Sequence, residues 1–149
     1  MIHTNSLTEF TEEAKRFSQT LSPHPSHATL VTLSGELGAG KTSFVQAVAE
    51  GLGVQGRVTS PTFVLEKIYE LIPENARGFT RLIHIDAYRF KTAEEFRGLG
   101  FDTLYRSVDT LIFLEWPERT EDALPDADVA ITFTTPTPDE RVITYAYTT

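Results

Sequence analysis

A chain of 149 residues with 40% hydrophobic and 23% charged residues suits one folded domain with one core and excludes a disordered protein. It contains no cysteine, which rules out a disulfide framework, a thiolate metal site and a cysteine nucleophile. Its net charge of −8, with arginines scattered rather than clustered, argues against autonomous gripping of nucleic acid. No apolar run approaches the roughly 20 residues of a membrane helix. Met1–Ser6 lacks a basic segment leading into an apolar stretch, so no secretion signal is visible and a cytoplasmic location is expected.

Phe10, Ala14, Phe17 and Leu21 fall on one face of a helix. Ser6 and Glu9 form a capping box at its start, and Pro23 closes it. Ala28 to Ser34 then reads as a strand. It feeds Gly35-Glu36-Leu37-Gly38-Ala39-Gly40-Lys41-Thr42, which matches the phosphate-binding pattern G-x-x-x-x-G-K-[ST] at every fixed position. Lys41 to Leu52 carries a helical apolar pattern and stops at Gly53. Strand, glycine-rich turn and helix are what this motif needs, because backbone amides and the positive end of the helix surround the anion. Lys41 adds a point charge for the outer phosphates, and Thr42 offers its hydroxyl to Mg²⁺. Nucleotide contacts are expected from Gly35, Leu37, Gly38, Ala39, Gly40, Lys41, Thr42 and Ser43.

Thr62 to Leu71 is rich in strand formers, Pro73–Gly78 is a turn and Thr80 to Asp86 is a second strand, so the two predict a hairpin. Ser60-Pro61-Thr62-Phe63 suits a switch segment that senses the γ-phosphate or its metal; a turn leading into a strand explains it equally well. Thr92 to Leu99 predicts a short helix. Thr110 to Glu115 is an apolar strand ending in a carboxylate. Asp128–Thr134 and Arg141–Tyr147 predict a terminal hairpin. The fold class is therefore α/β, with a mixed parallel and antiparallel sheet flanked by helices in a single domain.

A phosphate loop alone only holds a nucleotide; hydrolysis also needs an anchored metal and an oriented nucleophile. Two apolar strands end in carboxylates, Leu111-Ile-Phe-Leu-Glu115 and Leu82-Ile-His-Ile-Asp86. Ligands of open α/β sheets lie beyond such strand ends. Glu115 is assigned to Mg²⁺, directly or through water. Asp86 orients the attacking water or serves as a second metal anchor; the two roles are interchangeable at this level. Lys41, Asp86 and Glu115 form the catalytic set, and Thr42 and Glu115 the metal set. Trp116 shapes the nucleotide pocket or packs in the core. His84, inside an apolar strand, reads as a hydrogen-bonded core histidine. Arg89 is a candidate partner for a carboxylate or phosphate, and Thr8 and Thr11 are candidate contacts near the base. The chain lacks the N-K-x-D stretch of GTPases, which favours ATP.

Gly35–Thr42, Ser60–Phe63, His84-Ile-Asp-Ala-Tyr-Arg89 and Leu114-Glu-Trp-Pro117, in this order and spacing, resemble the TsaE (older name YjeE) family of bacterial tRNA threonylcarbamoyladenosine synthesis. Ser43 stands where the family usually has a second threonine, and Ala87 where it usually has leucine. The resemblance implies a P-loop NTPase-like fold, ATP and Mg²⁺ as cofactors and slow ATPase activity. It also implies docking on a complex of the proteins TsaB and TsaD, with tRNA reached only through those partners. Under it, Thr42 and Glu115 contact the metal, and Asp86 and Trp116 are functionally sensitive. Two other readings remain open from the residues: a small-molecule kinase of the P-loop class, and a non-catalytic nucleotide sensor.

Overall fold

The computed structural model describes residues 1–54, 57–59 and 66–148. The chain begins with β1 (Ile2–Thr4) and α1 (Leu7–Ser18), followed by β2 (Thr29–Ser34) and α2 (Lys41–Gly51). Strands β3 (Arg57–Thr59), β4 (Glu66–Glu70) and β5 (Arg81–Asp86) come next, then a 3-10 turn (Ala87–Arg89) and two short helices, α3 (Ala93–Arg97) and α4 (Phe101–Tyr105). Strand β6 (Thr110–Glu115), a 3-10 segment (Pro117–Ala123), β7 (Val129–Thr134) and β8 (Arg141–Tyr147) complete it.

Among the described residues the strands form one sheet in the order β1-β8-β7-β2-β6-β5-β4-β3. The four central strands, β7, β2, β6 and β5, are parallel. Antiparallel pairs flank them, β8 and β1 at one edge and β4 and β3 at the other. Both expected hairpins, β4–β5 and β7–β8, are present, and the mixed sheet agrees with the expected α/β class. Five elements had no clear signature in the sequence: β1, β3, α4 and the 3-10 segments Ala87–Arg89 and Pro117–Ala123; the stretch that holds β3 reads in the sequence as a turn after α2.

The central strands are buried on both faces and so are apolar throughout rather than alternating. Successive residues still serve opposite sides. Val31, Leu33, Leu111 and Phe113 join the core under α1 and α2, with Phe10, Phe17, Phe44 and Val48. Leu30, Ile112 and Leu114 join the core on the other face, with Phe90, Phe96 and Phe101 from the α3–α4 region. No helix among the described residues is long and apolar enough to cross a membrane.

Helix α1 starts after Ser6 as its sequence predicts, but only half of the expected capping box forms. Ser6 Oγ accepts from the Glu9 amide at 3.1 Å, while the Glu9 carboxylate reaches one residue further back than a standard capping box and accepts from the Asn5 amide at 2.8 Å. The helix ends at Ser18, and Leu21 is buried just beyond it. Its inner face carries a polar link to the sheet edge. Glu13 is 8% exposed and accepts from the Tyr145 hydroxyl at 2.6 Å and from Arg16 at 2.7 and 2.6 Å. Burial pushes the Glu13 carboxyl up, but the Arg16 and Tyr145 hydrogen bonds and the Arg16 charge outweigh it, so the group lies below its ordinary value of 4.5. Burial and the Glu13 contact push the Tyr145 phenol up.

A carboxyl depressed by folding contributes stability above its unfolded pKa and loses it as pH falls through the folded value. Urea unfolding of the Tyr145→Phe variant is therefore expected to show a loss of about 1–2 kcal/mol at neutral pH. The difference from the parent should shrink on the acid side of 4.5, where Glu13 becomes protonated. An equal loss at both pH values would show that Glu13 is not the partner that matters.

Candidate functional site

The carboxyl ends of β2, β5 and β6 converge beside the loop joining β2 to α2. Gly38 and Gly40 both have left-handed backbone, with φ of +82° and +102°. Gly40 is the N-cap of α2 and supplies no side chain to cap it. The first amides of α2 are thus left to another acceptor, the general condition for an anion site at a helix N-terminus. A Cβ on Gly40 would lie 2.9 Å from the Phe10 ring, whereas one on Gly38 meets nothing within 4 Å. From β8, Arg141 Nε donates to the Ala39 carbonyl at 3.1 Å and braces the loop.

A cavity of about 480 Å³ is lined by Leu37, Gly38, Gly40, Lys41, Thr42, Ser43, Asp86, Tyr88, Glu115 and Trp116. It brings together most of the residues singled out in the sequence. Two loop residues lie elsewhere. Gly35 faces an adjoining cavity beside Trp116 and Phe133. The Ala39 methyl is in the core, and its amide donates to the Glu36 carbonyl at 3.1 Å. Thr8 and Thr11 line neither this cavity nor the smaller one next to it, where α1 contributes Leu7 and Phe10 and its N-cap Ser6. The Ser60–Phe63 segment and the Arg89 side chain lie outside the described residues.

Glu115 is at the centre. It ends β6, is 3% exposed, and its Oε2 accepts from the Thr42 hydroxyl at 2.9 Å. The same oxygen accepts from His84 Nε2–H. Burial pushes the Glu115 carboxyl up; the His84 hydrogen bond and charge, the Thr42 hydroxyl and the Lys41 charge together bring it below its ordinary value. Asp86 pairs with Glu115 across the β5–β6 ladder, and His84 stands two residues earlier on β5. Alternation along the strand puts His84 and Asp86 on one face. His84 is thus the partnered core histidine the sequence suggested, and its partner is Glu115. That partner was not legible, because it depends on the β5–β6 register.

Lys41 is 4% exposed. Its Nζ donates to the Gly35 and Glu36 carbonyls at 2.6 and 2.8 Å and lies 4.3 Å from the centre of the Trp116 ring. Burial pushes the ammonium pKa down, against the pull of the Glu115, Asp86 and Glu118 carboxylates. Trp116 is held in left-handed backbone, φ +61° and ψ +54°, with its amide donating to the Leu33 carbonyl at 3.1 Å. Such a conformation costs a bulky residue on the order of 1–3 kcal/mol and persists where its surroundings fix it. Tyr88 packs 5.0 Å from Trp116, and Arg119 lies 4.9 Å over Tyr88. Cation and ring thus alternate along one rim of the cavity. Asp86 Oδ1 accepts from the Tyr88 amide at 3.0 Å and caps the 3-10 turn, so this residue serves both the turn and the cavity wall.

An uncapped helix start, a lysine beside it and a hydroxyl–carboxylate pair define an α/β domain of the P-loop NTPase-like class. The comparisons with known proteins agree. The family model described as "Threonylcarbamoyl adenosine biosynthesis protein TsaE" matches residues 5–143. Proteins named "tRNA threonylcarbamoyladenosine biosynthesis protein TsaE" are 34% identical in Bacillus subtilis, over 90% of this chain and 79% of that protein, and 34% identical in Haemophilus influenzae, over 78% and 70%. The crystal structure of Bacillus subtilis YdiB superposes with a TM-score of 0.72 at 30% identity, covering 98% of this chain and 83% of that one. This chain belongs to the TsaE family.

The loop geometry separates Gly38 from Gly40. Gly38→Ala adds only backbone strain, whereas Gly40→Ala adds strain and a collision with Phe10. Urea unfolding should show Gly40→Ala to be the more destabilising, by more than about 1 kcal/mol relative to the parent. Equal costs at the two positions would contradict the packing of α1 against the loop.

Proposed function

We propose that this chain binds ATP and Mg²⁺ in the cavity beside Glu115 and hydrolyses ATP slowly. Its role would be that of a supporting ATPase in tRNA threonylcarbamoyladenosine biosynthesis, acting on a TsaB–TsaD-like complex and reaching tRNA only through it. The observation that carries this reading is the 2.9 Å contact between Thr42 Oγ1 and Glu115 Oε2, next to a helix start with no side-chain cap. Hydroxyl and carboxylate oxygens are the donors a hard cation takes from a protein when phosphates supply the rest. The chemistry of the donor set and the volume of the cavity therefore fit both groups.

Bound ATP and Mg²⁺ supply a phosphoanhydride bond polarised for attack by water. The chain's own residues do the rest. Amides at the start of α2 and the Lys41 ammonium bind the phosphates and offset their charge. Lys41 must leave the Gly35 and Glu36 carbonyls or share its protons with them, so ligand binding competes with a contact already made. Thr42 and Glu115 hold the metal. His84, donating to Glu115, fixes the rotamer of that carboxylate and keeps it ionised. Asp86 lies beside Glu115 at the strand ends and orients the attacking water. Trp116 closes one side over Lys41 and limits access of bulk water. Family membership supports the tRNA-modification role, and the net charge of −8 is consistent with leaving tRNA to a partner.

Lys41→Ala should abolish ATP binding measured by isothermal titration calorimetry; normal hydrolysis by that variant would refute the site. Glu115→Gln should retain ATP binding but weaken Mg²⁺-dependent phosphate release. His84→Ala should weaken Mg²⁺ affinity about 10–100-fold with little change in ATP binding measured without metal. Phosphate release should rise when a TsaB–TsaD complex is added. Tight ATP binding with no release under any condition would favour a nucleotide sensor, and consumption that requires a small acceptor would favour a kinase.

A further inference from the structure

We infer that His24, His27 and Asp128 form a second cation site, for a divalent transition-metal ion of the Zn²⁺ type. It lies at the opposite end of β2 from the phosphate loop, roughly 20 Å away by strand rise. His24 and His27 belong to the segment between α1 and β2, where Pro23 and Pro25 restrict the backbone. Asp128 immediately precedes β7. One ligand atom from each residue lies within 4.8 Å of the other two, and all three residues are half-buried.

The surroundings prepare two of the three donors. The Asp128 carboxylate is held by the Leu30 amide, which donates to Oδ2 at 2.8 Å, while the Asp128 amide donates to the Leu30 carbonyl at 2.9 Å. This fixes the carboxylate against the first residues of β2. The His27 ring is paired at Nδ1 with the Ala28 carbonyl at 2.7 Å. Only an N–H can satisfy a carbonyl, so Nδ1 carries a proton and Nε2 is the lone-pair nitrogen of the neutral ring. A backbone carbonyl orienting a histidine in this way is the usual support behind a metal ligand. The His27 ring is held further by stacking on Tyr105 at 4.5 Å.

His24 is the adjustable member. Its Nδ1 accepts from the Ser26 amide at 3.0 Å, and its ring stacks on His27 at 3.7 Å. A metal lies near the plane of each imidazole that binds it, so the two stacked rings tilt apart on loading. His24 then releases the Ser26 amide, which is exposed and turns to water, and binds either through the freed Nδ1 or, once its proton has moved from Nε2 to Nδ1, through Nε2. His24 and Asp128 also line a cavity of about 300 Å³ together with Thr20, Ser22 and Tyr147.

Two imidazoles and one carboxylate suit borderline ions such as Zn²⁺, Co²⁺ or Ni²⁺, and disfavour Mg²⁺ and Ca²⁺, which prefer oxygen. Three protein donors leave a further position for water. The ion would clip the α1–β2 segment to the strand next to β2 and stabilise the chain by mass action.

The test uses the full chain freed of metal with a chelator and titrated with Zn²⁺ alone. One equivalent is expected to bind, the side-chain NMR signals of His24 and His27 to shift together, and millimolar Mg²⁺ not to displace the ion. Asp128→Asn keeps an acceptor for the Leu30 amide, so it tests the donor without removing that contact. It and the His24→Ala/His27→Ala double variant should each bind Zn²⁺ at least about tenfold more weakly, and the rise in Tm with Zn²⁺ should disappear. No saturable uptake at millimolar Zn²⁺, or uptake undiminished in both variants, overturns the inference.

Discussion

The buried Glu115 carboxylate ties the molecule together at its chemically important end. One oxygen accepts from Thr42 at the start of α2 and from His84 on β5, while the residue itself ends β6. Three elements distant in sequence therefore share one acceptor. A buried carboxylate is costly without partners, and with them it keeps its charge. The arrangement fixes how the phosphate loop sits on the sheet. It also leaves ionised oxygens beside the uncapped helix start, where a hard cation and an anionic ligand complement each other.

The surrounding structure follows from placing that acceptor. β6 lies between β2 and β5, so the loop that follows β2 and the residues that end β5 both come within reach of Glu115. The apolar faces of these strands bury α1 and α2 on one side and the α3–α4 region on the other. The antiparallel edges contribute from further away. β8 sends Arg141 to the loop carbonyls and Tyr145 to Glu13 on α1, and so links the far edge of the sheet to the phosphate loop and to the helix packed over it. Lys41, held on two loop carbonyls under Trp116, holds the positive charge where an incoming anion would meet it.

Much of this was legible locally. The loop pattern from Gly35 to Thr42, the capping residue Ser6, and the apolar strands ending in Asp86 and Glu115 are encoded by residues close in sequence, and the structure places them as expected. The strand order was not legible. Whether β2 lies next to β6 or β5 depends on packing between segments some eighty residues apart. The His84–Glu115 contact and the Arg141 brace have the same origin, since each needs a register that single-strand patterns do not contain. His84 had one usable signal, its position two residues before Asp86 on the same strand face. The His24–His27–Asp128 group left none, because its members meet only when the loop before β2 and the start of β7 come together.

The most direct test is a crystal structure with Mn²⁺ in place of Mg²⁺ and a non-hydrolysable ATP analogue, with the metal located by its anomalous scattering. One peak is expected beside the phosphates, within coordinating distance of Thr42 Oγ1 and either bound by Glu115 or one water removed from it. A peak elsewhere, with Thr42 still donating to Glu115 and the triphosphate away from the start of α2, would contradict it.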